Sequence, residues 1–395
     1  MAKWVEYTIG DVAQIFDGPH ATPKKTSEGP WFLSISSLDR GRLNLAESTH
    51  LSEEDFARWT RRVTPQEGDI LFSYETRLGE AALMPANIRA CLGRRMGLLR
   101  PKRSIVEPKF LLYAYLSPAF QEIIATRRVH GATVDRIPLV ELPSWPISLP
   151  PLSEQQAICG LLGALDDKIA VNERIVATTN ALISAMFAQL LASSREVHKV
   201  PLGDVALVNM TSVKPSENGV LRYVDISAVG VGSYDWPELI KWSDAPGRAR
   251  RKAQFGDTIW STVRPNRRSH ALVLDDDPDL VFSTGLAILT PRSVGSAFLY
   301  EATRTPDFQK YLESVAEGSA YPAVRAELFK AAPIPLPAAD ERTRFEYMAM
   351  AMRLRAHQAV LENRTLAALR DTLLPELMSG RLCVRDAEKL IEDTI

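Results

Sequence analysis

Gly68–Ser73 (GDILFS) and Gly256–Ser261 (GDTIWS) are two copies of one short pattern, a glycine and an aspartate followed by an apolar run and a serine. Glycine and aspartate are typical of a turn, and a short apolar run between turn signals is typical of a buried strand. A pattern that returns at long range indicates a duplicated architecture. The same turn and strand are therefore predicted in both halves of the chain.

Five further matches surround this pair and keep the same order along the chain, at an offset of about 190 residues. They are Gly10–Ala13 with Gly203–Ala206, Ile35–Ser36 with Ile226–Ser227, Phe110–Leu111 with Phe298–Leu299, Pro118–Gln121 with Pro306–Gln309, and Pro146–Pro150 with Pro333–Pro337. Coincidence would not preserve the order of so many blocks. The chain is a tandem duplication.

Each copy has the same plan. A region of short strand-like runs, such as Ile70–Tyr74 and Leu280–Leu289, is punctuated by Gly, Pro and Asp and ends in a proline-rich stop. A long segment with helical character follows. The predicted fold class is α+β: two similar globular α/β domains separated by two long antiparallel coiled-coil helices, with a pseudo-two-fold internal repeat.

The first helix is predicted to start at Ser153, because Ser153-Glu154-Gln155-Gln156 has the form of a capping box. Apolar residues then recur at steps of three and four, with Asn172 and Thr179 filling the series, and the helix should end before Pro201. The apolar members of this seam are Leu162, Leu165, Ile169, Val176, Ile183, Met186 and Leu190.

The second helix is predicted to begin near Asp340 and to run to about Leu374. Its seam is less regular, with Leu354 and Leu361 on one seven-residue spacing and Leu366 and Leu373 on another. Pro375 should kink or end it, because an interior proline costs about 3 kcal/mol. Gly380 is a natural C-terminal stop.

Composition narrows the class of protein. The chain has 395 residues, 46% of them hydrophobic and 24% charged, and a formal net charge of -1. These values are ordinary for a globular protein of two domains, and any nucleic-acid site must come from local basic clusters. No apolar run approaches 18 residues, and Met1–Gly10 has no signal-peptide pattern. Cys91, Cys159 and Cys383 lie far apart, which fits a reducing cytoplasm.

Several segments carry a family resemblance. Leu149–Ile158 (LPPLSEQQAI), followed by Leu165–Ile169 (LDDKI), resembles the central conserved region of type I restriction-modification specificity subunits. Leu373–Gly380 (LLPELMSG) resembles their distal conserved region. The two Gly-Asp-x-x-x-Ser blocks and Val263–Arg268 (VRPNRR) are similar to segments of their target recognition domains. The second copy departs from the pattern, since Ala338–Arg342 keeps only the glutamate of the Ser-Glu-Gln-Gln block.

The resemblance implies a non-catalytic subunit in which each half reads one part of a split, asymmetric double-stranded DNA site. It implies recognition domains at 1–150 and 199–337, a central conserved helix at 151–198, a distal conserved helix at 338–380 and a C-terminal tail at 381–395. Two methyltransferase (modification) subunits would dock on the helices and bring S-adenosylmethionine, so no cofactor is expected in this chain. Motor-nuclease (restriction) subunits would complete the complex.

Catalytic motifs are missing from the sequence. It contains no G-x-x-x-x-G-K-[ST] loop, no complete G-x-G-x-x-G, no H-E-x-x-H and no Asn-Pro-Pro-aromatic segment. Asp275-Asp276-Asp277 before Pro278 could be considered as a metal site, but this pattern is more typical of a solvated turn. Neither a catalytic site nor a metal site is therefore predicted.

The candidate DNA-binding residues come from basic clusters and loop tips in both halves, because Arg and Asn read base edges while other Arg and Lys hold phosphates. A basic cluster precedes each Gly-Asp strand, and a polar loop follows it. The candidates are Arg58, Arg61, Arg62, Tyr74, Arg77, Arg128, Arg248, Arg250, Arg251, Lys252, Arg264, Asn266, Arg267, Arg268 and Tyr321.

Three other interpretations stay open at this point. The chain could serve a methylation-only complex instead of a full restriction complex. It could be a coiled-coil scaffold or regulator that binds protein and not DNA, against which the paired basic loops count. It could also be a fused enzyme, against which the missing motifs count. A methyl-transfer assay on the chain alone, and the salt dependence of DNA binding, distinguish these classes.

Overall fold

A computed structural model describes residues 4–19, 21–131, 134–216, 218–318 and 320–393. The chain divides into two units: the first is Met1–Ala170 with Arg364–Ile395, and the second is Val171–Asn363. Each unit therefore holds one of the two sequence repeats together with a part of each long helix.

The first unit begins with eleven strands and four helices. In chain order they are β1 Val5–Thr8, α1 Ile9–Val12, β2 Ala13–Asp17, β3 Thr26–Leu33, β4 Leu38–Asp39, β5 Arg42–Leu43, β6 Thr49–His50, α2 Glu53–Trp59, β7 Ile70–Ser73, β8 Ala81–Leu83, β9 Ala90–Leu92, β10 Met96–Pro101, α3 Pro108–Leu116, α4 Pro118–Arg127 and β11 Pro146–Leu149. Helix α5, Leu152–Ser193, follows.

The strands of the first unit form an antiparallel ribbon β1-β11, an antiparallel sheet in the order β2-β10-β7-β8, a three-stranded sheet β6-β3-β9 and a short pair β4-β5. Strand β7 is buried along its whole length, as the apolar run Ile70–Phe72 requires. Trp145 and Phe110 are fully buried in the core beside it. Strands β3 and β9 pair in parallel.

In its described residues the second unit has ten strands and four short α-helices besides its share of the long ones. In chain order they are β12 His198–Pro201, α6 Leu202–Val205, β13 Ala206–Val208, β14 Val220–Val224, β15 Leu239–Lys241, β16 Ala249–Arg251, β17 Thr258–Ser261, β18 His270–Leu272, β19 Leu280–Ser283, β20 Leu286–Pro291, α7 Ser296–Ala302, α8 Pro306–Val315, α9 Ala326–Ala331 and β21 Pro333–Leu336. Helices α10, Ala339–Met378, and α11, Val384–Glu392, complete the chain.

The second unit repeats the topology of the first. Its ribbon β12-β21 and its sheet β13-β20-β17-β18 match β1-β11 and β2-β10-β7-β8 strand for strand. Its other sheet, β15-β14-β19-β16, keeps the parallel pair as β14 with β19 and adds β16 at the edge. The duplication and the α+β class predicted from the sequence are confirmed. The segment predicted as one strand, Leu280–Leu289, is two strands, β19 and β20.

Helix α5 begins one residue earlier than the capping box predicts. Because Leu152 is already helical, Ser153 lies inside the first turn and not at the N-cap. The buried polar residue of this turn is Gln155, whose amide donates to the carbonyl oxygens of Pro150 and Ile105. Gln155 thus holds the first turn of α5 to its own domain. The capping-box prediction assigned no such role to this side chain.

The predicted seam of α5 is largely the buried face. Leu162, Leu165, Ile169, Asn172 and Ile183 are each less than a tenth exposed. A buried aliphatic side chain of this kind contributes about 1.5–3 kcal/mol relative to an exposed one. Near the C-terminal end the buried residue is Phe187, whereas the predicted Met186 packs at the margin of the core.

Helix α10 differs from its prediction in two ways. Pro375 does not end the helix, because the helix continues to Met378, and Gly380 with φ +71 then stops it. Leu354 is 43% exposed, since the seam at this level is formed by Arg353 and Ala356. Leu366 and Leu373 are buried as predicted.

The two long helices run antiparallel in the second unit. Asn172 donates to Glu362 and Asn363, Asn180 accepts from Arg353, and Ser194, just beyond α5, donates to Glu341. Residues of increasing number along α5 therefore contact residues of decreasing number along α10, as an antiparallel pair requires. In the first unit Arg370 of α10 pairs with Asp166 of α5 at 3.2 Å.

Helix α5 is also apolar enough, by length and composition, to cross a membrane, and it is the one such helix in the described part of the chain. Although no uninterrupted apolar run is that long, the helix contains an 18-residue window with few charges, of which 11% is buried. Ile183 and Phe187 nevertheless pack into the core of the second unit.

Candidate nucleic-acid interface

The repeated aspartates of the Gly-Asp pattern close the turn before the central strand. The Asp69 carboxylate accepts the backbone N–H of Gln66, and that of Asp257 accepts the backbone N–H of Gln254, both at 2.8 Å. Gly68 and Gly256 have φ +87 and +90, a region that favours glycine. The two aspartates are buried and structural, and they lie in the scaffold that precedes the candidate interface.

The repeated serines shape the loop after the strand. The Ser73 hydroxyl donates to the carbonyl oxygen of Glu75, and the Ser261 hydroxyl donates to that of Val263, at 2.6 and 2.8 Å. Both hydroxyls are thereby engaged with their own loop. The Gly-Asp-x-x-x-Ser pattern therefore builds one strand with a turn at each end, and residues beyond the serine are free to vary.

A second segment pairs with this loop in each unit. In the first, the backbone N–H of Ile137 donates to the carbonyl oxygen of Tyr74, and Glu75 forms a bridge with Arg136. In the second, the N–H of Val324 donates to the carbonyl oxygen of Thr262, and Val263 forms a bridge with Ala323. We call each pair of segments a tip: the first tip is 73–80 with 128–131 and 134–136, and the second tip is 261–269 with 316–318 and 320–324.

This pairing gives the two loops the same alignment as the two Gly-Asp strands. Tyr74 corresponds to Thr262 and Glu75 to Val263, so Thr76 corresponds to Arg264. Thr76 and Arg264 share a left-handed backbone, with φ +71 and +53. The shared conformation marks equivalent positions that no similarity of side chain could have indicated.

The second tip is a tight basic turn. Arg264 and Arg268, at φ +53 and +55, enclose the 3-10 turn Pro265–Arg267. A left-handed backbone costs a non-glycine residue about 1–2 kcal/mol, so other bonds must hold the turn. The N–H of Arg264 donates to the carbonyl oxygen of Pro322 at 2.7 Å, and the N–H of Arg267 donates to that of Arg264 at 2.9 Å.

Candidate side chains of the second tip lie together. The Arg264 guanidinium is 4.5 Å from the ring centroid of Tyr321, which is 68% exposed. Asn266, Arg267 and Arg268 are exposed on the turn. The arrangement presents hydrogen-bond donors and one exposed aromatic ring to solvent, which suits an electron-rich ligand surface.

The first tip has a different electrostatic character because two of its arginines are paired with carboxylates. Arg77 pairs with Glu80 at 3.0 Å, and Arg128 lies 3.4 Å from Asp135. Arg95, which the sequence reasoning missed, pairs with Glu75 at 2.8 Å and donates to Thr76. Its contribution could not be read from the sequence because Arg95 lies on a different loop.

The basic clusters before the two strands are not in equivalent places. Arg58 is in the last turn of α2 and stacks on Trp59, with the guanidinium carbon 5.2 Å from the ring centroid. Arg58, Arg61 and Arg62 line a cleft of about 260 Å³ together with Asp17 and Trp59. Among the described residues of the second unit helix α2 has no counterpart, and the cluster lies on and beside the edge strand β16.

In the second unit this cluster is partly engaged in structure. Lys252 donates to the carbonyl oxygens of Pro278 and Leu280, and burial lowers its pKa. Burial also lowers the pKa of Arg251, and Arg250 donates to its neighbour's carbonyl oxygen. Of these cluster members, Arg248 is exposed. The hydrogen bonds to these two carbonyl oxygens hold the Lys252 ammonium group. This corrects the prediction that Lys252 contacts DNA.

Tyr74 is also a correction. Its side chain is 5% exposed in the core of the first unit, and burial raises its pKa. A buried ring cannot reach a duplex, so its position after the strand was misleading. Trp145 and Trp260 are also buried.

The Asp275–Asp277 turn is less solvated than expected. The Asp275 carboxylate accepts from the Tyr234 hydroxyl at 2.5 Å and lies 3.7 Å from the His357 ring. Asp277 pairs with Arg222. In the residues that the structure describes, no group of three or more His, Cys, Asp or Glu is arranged to hold a metal ion.

Comparison with known proteins finds similarity to type I restriction-modification specificity subunits. The family model of the type I restriction modification DNA specificity domain matches residues 1–179. The putative type I restriction enzyme MjaX specificity subunit of Methanocaldococcus jannaschii is 26% identical over 269 residues, 64% of this chain and 58% of that protein. The match thus spans less than two thirds of that relative.

Two further similarities extend over nearly the whole chain. The type I restriction enzyme HindI specificity subunit of Haemophilus influenzae is 20% identical, with 97% of this chain and all of that protein covered. The crystal structure of the type I restriction-modification S subunit from M. genitalium has the same fold, with a TM-score of 0.60, 18% identity and coverage of 95% and 96%. Residues 1–179 therefore match the type I restriction modification DNA specificity domain, and the whole chain is similar to type I specificity subunits.

Proposed function

We propose that this chain is the DNA-recognition subunit of a type I restriction-modification complex and reads a bipartite, asymmetric double-stranded site. Each unit would read one half-site through its tip. The observation that supports this proposal is that one duplicated scaffold carries two different tips. The hydrogen bonds that build the tips are repeated, whereas their charged side chains are not.

Divergent tips favour an asymmetric site. Equal recognition elements on a two-fold scaffold read a palindrome, as symmetric dimers do on symmetric operators. Here Arg264 and Tyr321 have no matching pair in the first tip, where Thr76 and paired arginines take their place. The two half-sites are therefore expected to have unrelated DNA sequences.

The long helices are the proposed docking surface for the methyltransferase subunits. In the second unit α5 exposes Val171 and Leu182, each at 51%, and α10 exposes Tyr347 at 80% and Leu354 at 43%. Large apolar side chains that stay exposed on a helix are typical of a surface that a partner covers. These subunits would supply S-adenosylmethionine and the adenine-methylating chemistry.

The remaining parts of the proposal follow from the family and the missing motifs. The chain would have no catalytic site and no cofactor of its own, and it would work in the cytoplasm with restriction subunits in the full complex. No phosphate loop or methyltransferase pocket motif is present in the sequence to support another role.

Reconstitution tests the proposal. Methyl transfer to DNA is measured for the chain alone, for the methyltransferase subunits alone and for the two together. We expect sequence-specific methylation only from the combination, and neither DNA cleavage nor ATP hydrolysis by the chain alone. Robust methyl transfer by the isolated chain would contradict the division of labour.

DNA affinity is measured in parallel by fluorescence anisotropy at several salt concentrations. Neutralised phosphates release counterions, so the logarithm of the binding constant should fall linearly with the logarithm of salt concentration. A duplex of scrambled sequence is the matched control. Equal affinity of the complex for both duplexes at every salt concentration would reject sequence-specific recognition.

A further inference from the structure

The second tip differs from the first in the state of its arginines. Among the residues that the structure describes, Arg264, Arg267 and Arg268 have no carboxylate within ion-pair distance, whereas Arg77, Arg95 and Arg128 of the first unit each have one. Glu317 of the second tip forms an ion pair with Arg325 at 2.9 Å, and this pair does not include any of these three arginines. The charges of the second tip are available to a ligand.

The second tip is also formed in advance. Pro265 is buried and limits the backbone, and the two left-handed residues at the ends of the turn are held by backbone bonds to Pro322 and within the turn. Arg264 is stacked on Tyr321. A guanidinium held flat against a ring loses less freedom when it binds a planar acceptor edge.

Arginine and asparagine have different preferred partners in the major groove. Arginine pairs bidentately with O6 and N7 of guanine, and asparagine pairs with N6 and N7 of adenine. An arginine that is already paired with a carboxylate must break that ion pair before it can bind a base. A tip with free arginines and one exposed asparagine is therefore suited to purines with a guanine among them.

We propose that the half-site read by the second unit contains guanine, contacted in the major groove by Arg264 or Arg267, and that Tyr321 is a positioning residue that orients Arg264. This inference rests on the proposed function and adds the class of base. The assignment is made for the second unit alone, because Arg77 and Arg128 of the first tip are paired with carboxylates.

The first experiment uses the complex reconstituted with its methyltransferase subunits. The methylated motif is determined for the parent complex and for Arg264→Ala, Arg267→Ala and Tyr321→Ala. We expect the arginine variants to relax one position of one half-site and to leave the other half-site unchanged. Arg325→Ala is the matched control, an exposed arginine of the adjacent segment in an ion pair, and should leave both halves unchanged.

The second experiment removes a single acceptor atom from the DNA. Guanines of the responding half-site are replaced one at a time by 7-deazaguanine, which keeps Watson–Crick pairing but lacks N7. The affinity of the parent complex should fall at the contacted guanine, by less than the about 150-fold that the loss of a whole bidentate contact can cost, because O6 still accepts one hydrogen bond. The Arg264→Ala or Arg267→Ala complex should lose this sensitivity.

Tyr321 is tested with two substitutions. Tyr321→Phe keeps the ring under Arg264 and should keep the motif, whereas Tyr321→Ala should relax the same position as Arg264→Ala. If Tyr321→Ala relaxes another position, or Tyr321→Phe fails equally, the positioning role is wrong. Thermal unfolding of each variant separates loss of folding from loss of readout.

The outcomes separate the two proposals. A responding half-site without guanine, no effect of 7-deazaguanine, or equal weakening on all sequences would overturn the guanine assignment while sequence-specific binding persists. Loss of all sequence preference in the parent complex would instead overturn the proposed function itself.

Discussion

Asp69 and Asp257 occupy the same place in the two units but have different partners. The Asp69 carboxylate accepts two hydrogen bonds from the Arg100 guanidinium, with N–O distances of 3.0 and 2.8 Å. In the second unit the corresponding strand offers the Thr290 hydroxyl to Asp257, and burial raises the pKa of Asp257 above 3.8. One repeated residue thus carries a stabilising ion pair in one unit and a costly buried charge in the other.

A pH dependence follows for Asp257. The pKa of Asp257 is higher in the folded protein than in the unfolded chain, so binding of a proton to its carboxylate stabilises the fold. This contribution to the free energy of unfolding is complete below pH 3.8 and is lost as the pH rises through the folded pKa. We therefore expect the free energy of unfolding of the parent protein to fall relative to that of Asp257→Asn between about pH 4 and about pH 7. Urea unfolding across this range measures it, and a constant difference would contradict the prediction.

Asp69→Asn should behave differently. It removes the carboxylate that Arg100 contacts, and a hydrogen bond to a charged group contributes about 1.5–3 kcal/mol. The variant should be destabilised by about this amount at neutral pH, as measured by urea unfolding. Stability equal to that of the parent protein would show that Arg100 finds a replacement partner.

At the scale of elements, a buried polar cluster fastens the long helices to the second unit. Arg353 of α10 and Arg304 both bond the Glu301 carboxylate at the end of α7, and Arg353 also donates to Asn180 of α5 at 2.6 Å. Glu301 and Arg353 are 3% and 6% exposed. The guanidinium of Arg353 stacks on Tyr300. This cluster, in place of a continuous leucine seam, sets the packing of α10 at this level.

Arg353→Met should destabilise the second unit. The substitution leaves Glu301 buried with Arg304 still bonded, so we expect a loss of about 1–3 kcal/mol. Chemical unfolding with hydrogen exchange of α7 and α10 measures it. Arg355→Met, an exposed position on the same helix, is the control and should stay within about 0.5 kcal/mol of the parent protein. Equal stability of both variants would mean that the cluster contributes no net stability.

At the scale of the whole molecule, helices α5 and α10 are continuous through the boundary between the two units, which falls after Ala170 and after Asn363. If the two half-sites are read by the two units, helix length should set the preferred spacer. A heptad lengthens a helix by about 10 Å and keeps the seam in phase. The proposal of a bipartite site therefore has a geometric consequence.

We predict that one heptad inserted after Ala170, with another after Asn363, increases the preferred spacer by about three base pairs. Both half-site sequences should stay the same, because the internal contacts of each unit are untouched. The methylated motif of the reconstituted complex provides the measurement. Inserting the heptad in α5 alone should impair assembly. An unchanged spacer with the matched insertions would reject a role of the helices as a ruler.

The sequence by itself determined the features that repeat or have a period. The duplication was visible in Gly68–Ser73 and Gly256–Ser261, and most of the α5 seam followed from its steps of three and four. Such features are local or repeated, so each residue's neighbours along the chain are enough to predict them. The resemblance to type I specificity subunits followed from the same kind of local segment.

Only the tertiary structure decided which side chains are free. Tyr74 lies in the core, Lys252 is held by carbonyl oxygens, and the buried position on α10 belongs to Arg353 and not to Leu354. Among the residues that the structure describes, Arg77 and Arg128 of the first tip are paired with carboxylates while Arg264 and Arg267 of the second tip are not, although they lie in matching segments of the two repeats. Burial and ion pairing depend on residues distant along the chain, and no local pattern records those partners.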